Sequence, residues 1–481
     1  MAMTGGRLRK RRSTSVPPVM RRFQLAEGDN ESVLEDAMSA KKQKNQTRID
    51  PRDLSGIDPI HTELRPSLLS IDAAFSQQNF RGFYTLAGLI LVAMNTRLVV
   101  ENLLQYGFLV VPKPDVFQRM WRDRWPCATV AMILPLFVVG AYLTEYLAFY
   151  RNIGIFLTVL INTILVSALI VIPIAIIQIS FAEIISSTFL LGIAVILSMK
   201  IVSFAHVRHI YRTRGEVCHP HTTSKAGAAD TSFTPPPRLS HLLWFMFAPT
   251  LCYQEVYPRS NKIRFGFIFR RLCEIVFILT LQFVMLHQYI MPTINHAVVH
   301  VDNRDIVRLT ERILKLAIPN TLFWLMCFYI MFHSTLNLTA EILRFGDRRF
   351  YMDWWNAPSL GVYWRTWNLP VRHWMLRHIY APALRAGAHP VLAQFLAFLL
   401  SAVVHELFIS VPCHMVQLWT FLAMISQVPL IILTDRIYKK WRQPIWGNVI
   451  FWFAFCIFGQ PLLMILYGHA YVKMYIQKSN N

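Results

Sequence analysis

Nine stretches of this chain, near 83–101, 127–149, 154–178, 180–204, 272–292, 316–336, 391–411, 415–434 and 448–472, are apolar over about 20 residues each, the length that carries an α-helix across a hydrocarbon layer. Inside lipid no water satisfies backbone N–H and C=O groups, so a spanning segment must close its hydrogen bonds within itself. The sequence therefore predicts an all-α polytopic membrane protein with about nine transmembrane helices. Composition agrees, because 54% of the 481 residues are hydrophobic and only 16% are charged, a balance that a soluble globule would not hold in solution.

The net charge of +21 would point to nucleic acid in a soluble protein. Its distribution here points elsewhere. Basic clusters at Arg7–Arg12, His206–Lys225, Arg344–Arg385 and Arg436–Arg442 all land on one side of the membrane if nine spans follow a cytosolic amino terminus. The carboxyl terminus is then lumenal, and no nucleic-acid partner is expected. A basic cytosolic face attracts anionic lipid headgroups and anionic soluble substrates alike. The polar, basic amino terminus keeps the first apolar run far from Met1, so no cleavable signal peptide is expected.

The seven cysteines are scattered without a CxxC pair, which suggests neither a disulfide framework nor a zinc site. Cys218, His219 and His221 cluster in a loop with no second ligand group and read as solvated polar sequence. The sequons at Asn30, Asn45 and Asn337 fall on or beside the cytosolic side and are expected to be unglycosylated. Residues 1–68 lack apolar periodicity and read as a disordered cytosolic tail ahead of a membrane domain over 69–481. The stretch 213–239, with the run Pro235-Pro236-Pro237, reads as a flexible cytosolic loop. The segment 340–390 differs in kind: Trp354, Trp355, Trp364, Trp367 and Trp374 sit among many arginines, with prolines at 358, 370 and 382. Aromatic residues beside arginine suit a membrane interface, and a simple anchoring belt is the plainest alternative to a binding surface.

The pair His405-Glu406 interrupts the second half of the 391–411 span. An ionisable pair at that depth faces a protein-lined cavity or marks a reaction site, unless it merely fills a polar niche between helices. A transferase joining a water-soluble activated donor to a lipid acceptor would use both a buried imidazole and a basic, aromatic loop immediately before it. Neutral imidazole suits a general base. Glu406 points about 100° away on the same helix, so it is expected to orient through a network and not as a direct partner. Ser401, Gln427 and Gln460 also lie in apolar spans, and they either converge on one cavity with the histidine or make ordinary interhelical bonds.

The heptapeptide Phe350-Tyr351-Met352-Asp353-Trp354-Trp355-Asn356 resembles the FYxDWWN signature of the sterol and diacylglycerol acyltransferase branch of the membrane-bound O-acyltransferase (MBOAT) family. Phe247–Tyr253 followed by Tyr257-Pro258-Arg259, and Arg344–Arg348, extend the likeness, which runs from about Ser76 to Val472. From His405-Glu406 through Ser410-Val411-Pro412 to Gln427-Val428-Pro429, the chain is more similar to the type 1 diacylglycerol acyltransferases than to the sterol enzymes.

The resemblance implies a helical bundle enclosing a lipid-accessible chamber, with His405 as the catalytic histidine and Asn368 as the characteristic asparagine. It implies that Trp364, Trp367 and Tyr380 belong to the donor-binding surface and that Gln427 and Gln460 lie near the reaction centre. Where the type 1 enzymes carry histidine after Pro-Val, this chain has Arg372, with His373 following. The substrates implied are fatty acyl-CoA and diacylglycerol, with no cofactor and no metal. A homodimer or homotetramer in the endoplasmic reticulum membrane is also implied. Direct transfer needs no covalent intermediate, and no cysteine stands beside the histidine. Rival readings are an acyltransferase for sterol or another long-chain alcohol, a transporter with a His-Glu proton relay, and a non-catalytic lipid-binding protein.

Overall fold

The computed structural model describes residues 81–109, 125–214, 236–441 and 444–480. The expected tail, most of the 213–239 loop, Cys218 to His221, and the sequons at Asn30 and Asn45 lie outside them. The described residues form helices joined by short connections, with no strand beyond an isolated bridge between Arg259 and Phe345. The helices are α1 (Arg81–Tyr106), α2 (Trp125–Tyr150), α3 (Ile155–Ser180), α4 (Ile184–Arg214), α5 (Leu239–Phe247), α6 (Phe265–Met285), α7 (Met291–Asp302), α8 (Ile306–Phe328) and α9 (Leu336–Ile342). They continue with α10 (Leu360–Thr366), α11 (Leu369–Met375), α12 (Ala381–Arg385), α13 (Pro390–Ser410), α14 (Trp419–Trp441), α15 (Pro444–Phe453) and α16 (Gln460–Asn480).

Among the described residues, seven helical segments are long and apolar enough to cross a membrane: Trp125–Tyr150, Ile155–Ser180, Ile184–Thr213, Ile306–Ile342, Pro390–Ser410, Trp419–Lys440 and Ile445–Met474. These seven coincide with expected spans. The count of nine is not reached: the stretch 83–101 forms α1, and 272–292 falls on α6 and its continuation, whose first turns carry Arg270, Arg271 and Glu274. The outer faces are strongly apolar. Met132 is 74% exposed, Phe156 81% and Ile179 76%, a surface at rest in acyl chains and not in water.

Helices α2, α3 and α4 pack on one another through Leu134, Ala141, Leu169, Ile177, Leu191 and Ile201, and the same core takes in Phe245, Tyr253, Phe345 and Phe350 from the segments that follow. A second core joins α7, α8 and α16 through Ile294, Ala297, Leu316 and Ile465. A third is aromatic: Trp354, Tyr363 and Phe451 pack with Trp364, Trp367 and Phe398.

Four π-helical turns, Leu286–Ile290, Tyr329–Thr335, Leu376–Tyr380 and Ala454–Gly459, interrupt otherwise regular helices. Each widens the helix by one residue and frees backbone groups that neighbours must satisfy. Three of them carry a polar side chain turned inward to a partner: Gln288 bonds Asn102 and the Gly107 carbonyl at 2.8 Å each, His333 meets Tyr351, and His378 meets Ser203.

Close approach fixes α15 against the loop before α10. A methyl group added at Gly447 would overlap the carbonyl oxygen of Pro358, whereas one at Gly266 meets nothing. Gly447→Ala is therefore expected to destabilise the protein by about 1–3 kcal/mol, seen as a lower melting temperature in detergent, while Gly266→Ala leaves it unchanged. Equal melting curves for the two variants would contradict this packing.

Candidate active site

Helix α13 begins with Pro390 at its first position and runs apolar for four turns before His405. The His405 ring is half-buried. Its Nδ1 lies 2.7 Å from the Ser401 backbone carbonyl, and Ser401 Oγ stands 3.4 Å from the same nitrogen. A carbonyl oxygen only accepts, so Nδ1 carries the proton in that bond. In the neutral ring Nε2 is then a bare lone pair, the state a general base requires.

Glu406 is buried, and its carboxylate serves the next helix. It accepts from the backbone N–H of Leu418 at 2.9 Å and of Phe421 at 3.1 Å, from the Tyr467 hydroxyl at 2.9 Å, and from the Ser410 hydroxyl in a short contact. Those two amides stand at the start of α14, one on the residue before it and one in its first turn, where N–H groups have no partner within the helix. Glu406 thus caps α14, fastens α16 through Tyr467, and lies on a different face of α13 from the imidazole.

Asn368 opens α11, where its Oδ1 accepts from the Val371 N–H at 3.2 Å while Pro370 occupies the first turn. This is an N-cap, the local reason that asparagine followed by Leu-Pro starts a helix. Trp364 packs edge-on against Phe398 with ring centres 5.7 Å apart, and Trp367 stacks on Tyr363 at 6.0 Å. Phe398 is two turns before His405 on the same face of α13, so the tryptophan cluster abuts the face that carries the histidine. The indole N–H of Trp364 is buried with no acceptor among the described residues.

Tyr380 is half-buried at the end of the π-turn packed on α13. Gln427 donates to the Ala423 carbonyl of its own helix at 3.2 Å. Gln460 starts α16, directly after a π-turn. Ser401 is the one of these polar residues in hydrogen-bond distance of the His405 ring.

Within the heptapeptide, Phe350 and Trp354 are core anchors at 3% and 5% exposure. The Tyr351 hydroxyl lies 2.7 Å from His333 Nδ1. Backbone bonds from Met352 N–H to the Thr366 carbonyl and from Leu369 N–H to the Phe350 carbonyl tie the segment to α10 and α11. Asp353, Trp355 and Asn356 are exposed, and the Trp355 carbonyl accepts from Asn448 at 2.9 Å. The motif is a scaffold that seats α10, α11 and the tryptophan cluster.

Several other buried polar groups are held by partners distant in the sequence. Lys200, inside α4, gives all three ammonium protons to the carbonyls of Phe245, Met246 and Ala248 at 2.7 to 2.8 Å. Glu341 accepts from the Arg264 N–H at 2.7 Å and pairs with the Arg264 and Arg348 side chains at 2.8 and 2.6 Å. His378 places Nδ1 2.8 Å from His206 Nδ1 and Nε2 2.8 Å from Ser203 Oγ. A charge in the apolar run SMKIVSF is the one available signal for Lys200. Nothing local marks His378.

Desolvation, helped by His206 and the Arg377 guanidinium, holds the His378 ring far below the ordinary histidine range, at about 3. An unfolded histidine titrates near 6.5. The unfolded chain therefore binds a proton that the folded chain refuses, so this stabilisation is complete above about pH 6.5 and is lost as pH falls toward 3. His378→Gln, which keeps a polar group without the titration, should flatten the acid side of a stability-versus-pH curve between pH 6.5 and 4. An unchanged slope would show that His378 is solvated.

The chain belongs to the membrane-bound O-acyltransferase (MBOAT) family, whose model matches residues 143–469. It is 40% identical to "Diacylglycerol O-acyltransferase 1-1" of Oryza sativa subsp. japonica, over 85% of this chain and 76% of the rice protein. It is 39% identical to "Diacylglycerol O-acyltransferase 1" of Arabidopsis thaliana, over 85% and 77% of the two chains. The protein of the same name from Dictyostelium discoideum is 38% identical over 85% of this chain and 65% of its own.

Because Glu406 joins α13, α14 and α16, Glu406→Ala should leave two helix N–H groups and a tyrosine hydroxyl unsatisfied and lower thermal stability by about 3–5 kcal/mol. Tyr467→Phe, which removes one of the donors, should cost about 1 kcal/mol. Melting curves of purified protein order the two variants, and an equal effect would contradict the capping role.

Proposed function

We propose that this chain transfers a fatty acyl group from acyl-CoA to the free hydroxyl of diacylglycerol, with His405 as the general base. Relatives near 40% identity over most of the chain carry that acceptor in their names. The observation that carries the assignment of the base is the 2.7 Å bond from His405 Nδ1 to the Ser401 carbonyl, which leaves Nε2 as a proton acceptor. His378 is the contrasting ring: it is buried, and both of its nitrogens are engaged.

In the reaction, Nε2 takes the hydroxyl proton as the acceptor oxygen attacks the thioester carbonyl carbon. The tetrahedral intermediate collapses, the carbon–sulfur bond breaks, and the imidazolium returns its proton to the departing thiolate. Triacylglycerol and free CoA result, and acyl-CoA is a substrate, so no cofactor is required. Trp364, Trp367 and Tyr380 line the donor side, where the indole N–H of Trp364 is buried with no acceptor among the described residues. Asn368 and Glu406 hold the frame as caps, with Ser401 setting the ring and Gln427 and Gln460 nearer the acceptor. Diacylglycerol arrives from the bilayer and the donor from the cytosol.

We place the enzyme in the endoplasmic reticulum membrane as a homodimer or homotetramer, its amino terminus cytosolic and its carboxyl terminus lumenal. That orientation rests on α1 and on α6 with its continuation also crossing the membrane, the count of nine that puts the basic clusters on the cytosolic side.

Purified His405→Ala should lose about 10²–10⁴-fold in turnover with unchanged melting temperature and oligomer size. Retained turnover would remove His405 from the chemistry. A competition assay with labelled acyl-CoA and a panel of alcohols separates diacylglycerol from sterol as acceptor; cholesterol winning would support the sterol reading.

A further inference from the structure

Away from His405, a cavity of about 370 Å³ lies between the loop that follows α5 and the α11 segment, within the size range of small-ligand pockets. Its walls carry Arg377 and His373 from α11 and the π-turn, Asp347 from the loop after α9, and Tyr257, Phe345 and Gln254. Arg377 is held in place, because one guanidinium nitrogen donates to the Tyr253 carbonyl at 3.0 Å. Tyr257 and Phe345 meet at a tilt with centres 6.0 Å apart, and Trp244 stands 5.0 Å from Tyr257.

Two features select the ligand. One fixed positive and one negative side chain line the same space, which disfavours a polyanion such as a nucleotide and suits a zwitterion. A carboxylate beside tilted aromatic faces suits a quaternary or primary ammonium, and an arginine with a histidine suits a phosphate. Leu376, which lines the cavity, is 38% exposed, and Phe247 and Val256, on the segment that supplies Thr250 to Pro258 of the lining, are 73% and 64% exposed. Large apolar side chains left open beside a cavity suit lipid.

We propose that this cavity holds the headgroup of a zwitterionic phospholipid, its phosphate on Arg377 and His373 and its ammonium against Tyr257, Phe345 and Asp347. The bilayer itself then supplies a ligand that clasps the loop after α5 to α11, in a cavity whose lining does not include His405.

The test is calorimetric titration of the purified full-length protein, in a detergent without a phosphocholine group, with glycerophosphocholine, glycerophosphate and choline. Glycerophosphocholine should bind about tenfold tighter than either part. Asp347→Asn, an exposed and conservative change, should remove that advantage while leaving glycerophosphate binding as it was or stronger. Arg377→Gln should lose both ligands. Tighter binding of glycerophosphate, equal binding of all three, or an Asp347→Asn variant that keeps the advantage would each overturn the proposal. The readout is binding, so its failure leaves the acyl-transfer reading untouched.

Discussion

Every helix end inside a membrane leaves backbone groups that water cannot reach, and this protein answers with buried charges of the right sign. Glu406 sits at the amino terminus of α14, Glu341 at the amino terminus of α6 through the Arg264 N–H, and Lys200 at the carboxyl terminus of α5. Anions lie at positive helix ends and the cation at a negative one, as the alignment of peptide dipoles requires. A charge buried this way would be costly alone, yet each one here is bonded to several partners. These three contacts tie α4 to α5, α13 to α14, and α9 to α6, and they fix how those helices meet.

The way α13 meets α14 also sets the face of α13 on which the proposed base stands. Glu406 is one residue after His405, so anchoring the carboxylate on α14 and Tyr467 fixes the rotation of α13 about its axis and with it the face on which the imidazole stands. The Ser401 carbonyl, one turn back, then fixes which nitrogen carries the proton. On the other side, the heptapeptide seats Trp354 in the aromatic core and carries α10 and α11, so that Trp364 reaches Phe398 on the same face of α13. The placing of the His405 ring thus rests on caps and packing several turns away.

Much of this is legible in the sequence, and for physical reasons. Seven of the nine apolar stretches are spans because hydrophobicity unbroken over the bilayer thickness suits lipid and is rare in a water-soluble fold. His405 is visible because an ionisable residue inside such a run is costly. The heptapeptide stands out by its tryptophans, although its buried anchors, Phe350 and Trp354, cannot be told from its exposed residues by spacing. The capping jobs of Glu406 and Asn368 are hidden, since they depend on where the next helix starts. Lys200, Glu341 and the His206–His378 pair join positions 45 to 172 residues apart, and no local pattern reveals such partners. The stretch 272–292 reads as a span on its apolar content, and the charges at its start and just ahead of it, Arg270, Arg271 and Glu274, only acquire weight once the helix is seen to include them.

The central claim is that His405 Nε2 is the unprotonated nitrogen that meets the acceptor hydroxyl. A cryo-electron microscopy structure with an unreactive thioether analogue of acyl-CoA and diacylglycerol tests it most directly. The account predicts the acceptor oxygen within about 3 Å of Nε2 and the analogue's carbon in line beyond it. An Nε2 facing bulk acyl chains, or walled off by packed side chains with both ligands elsewhere, would contradict it.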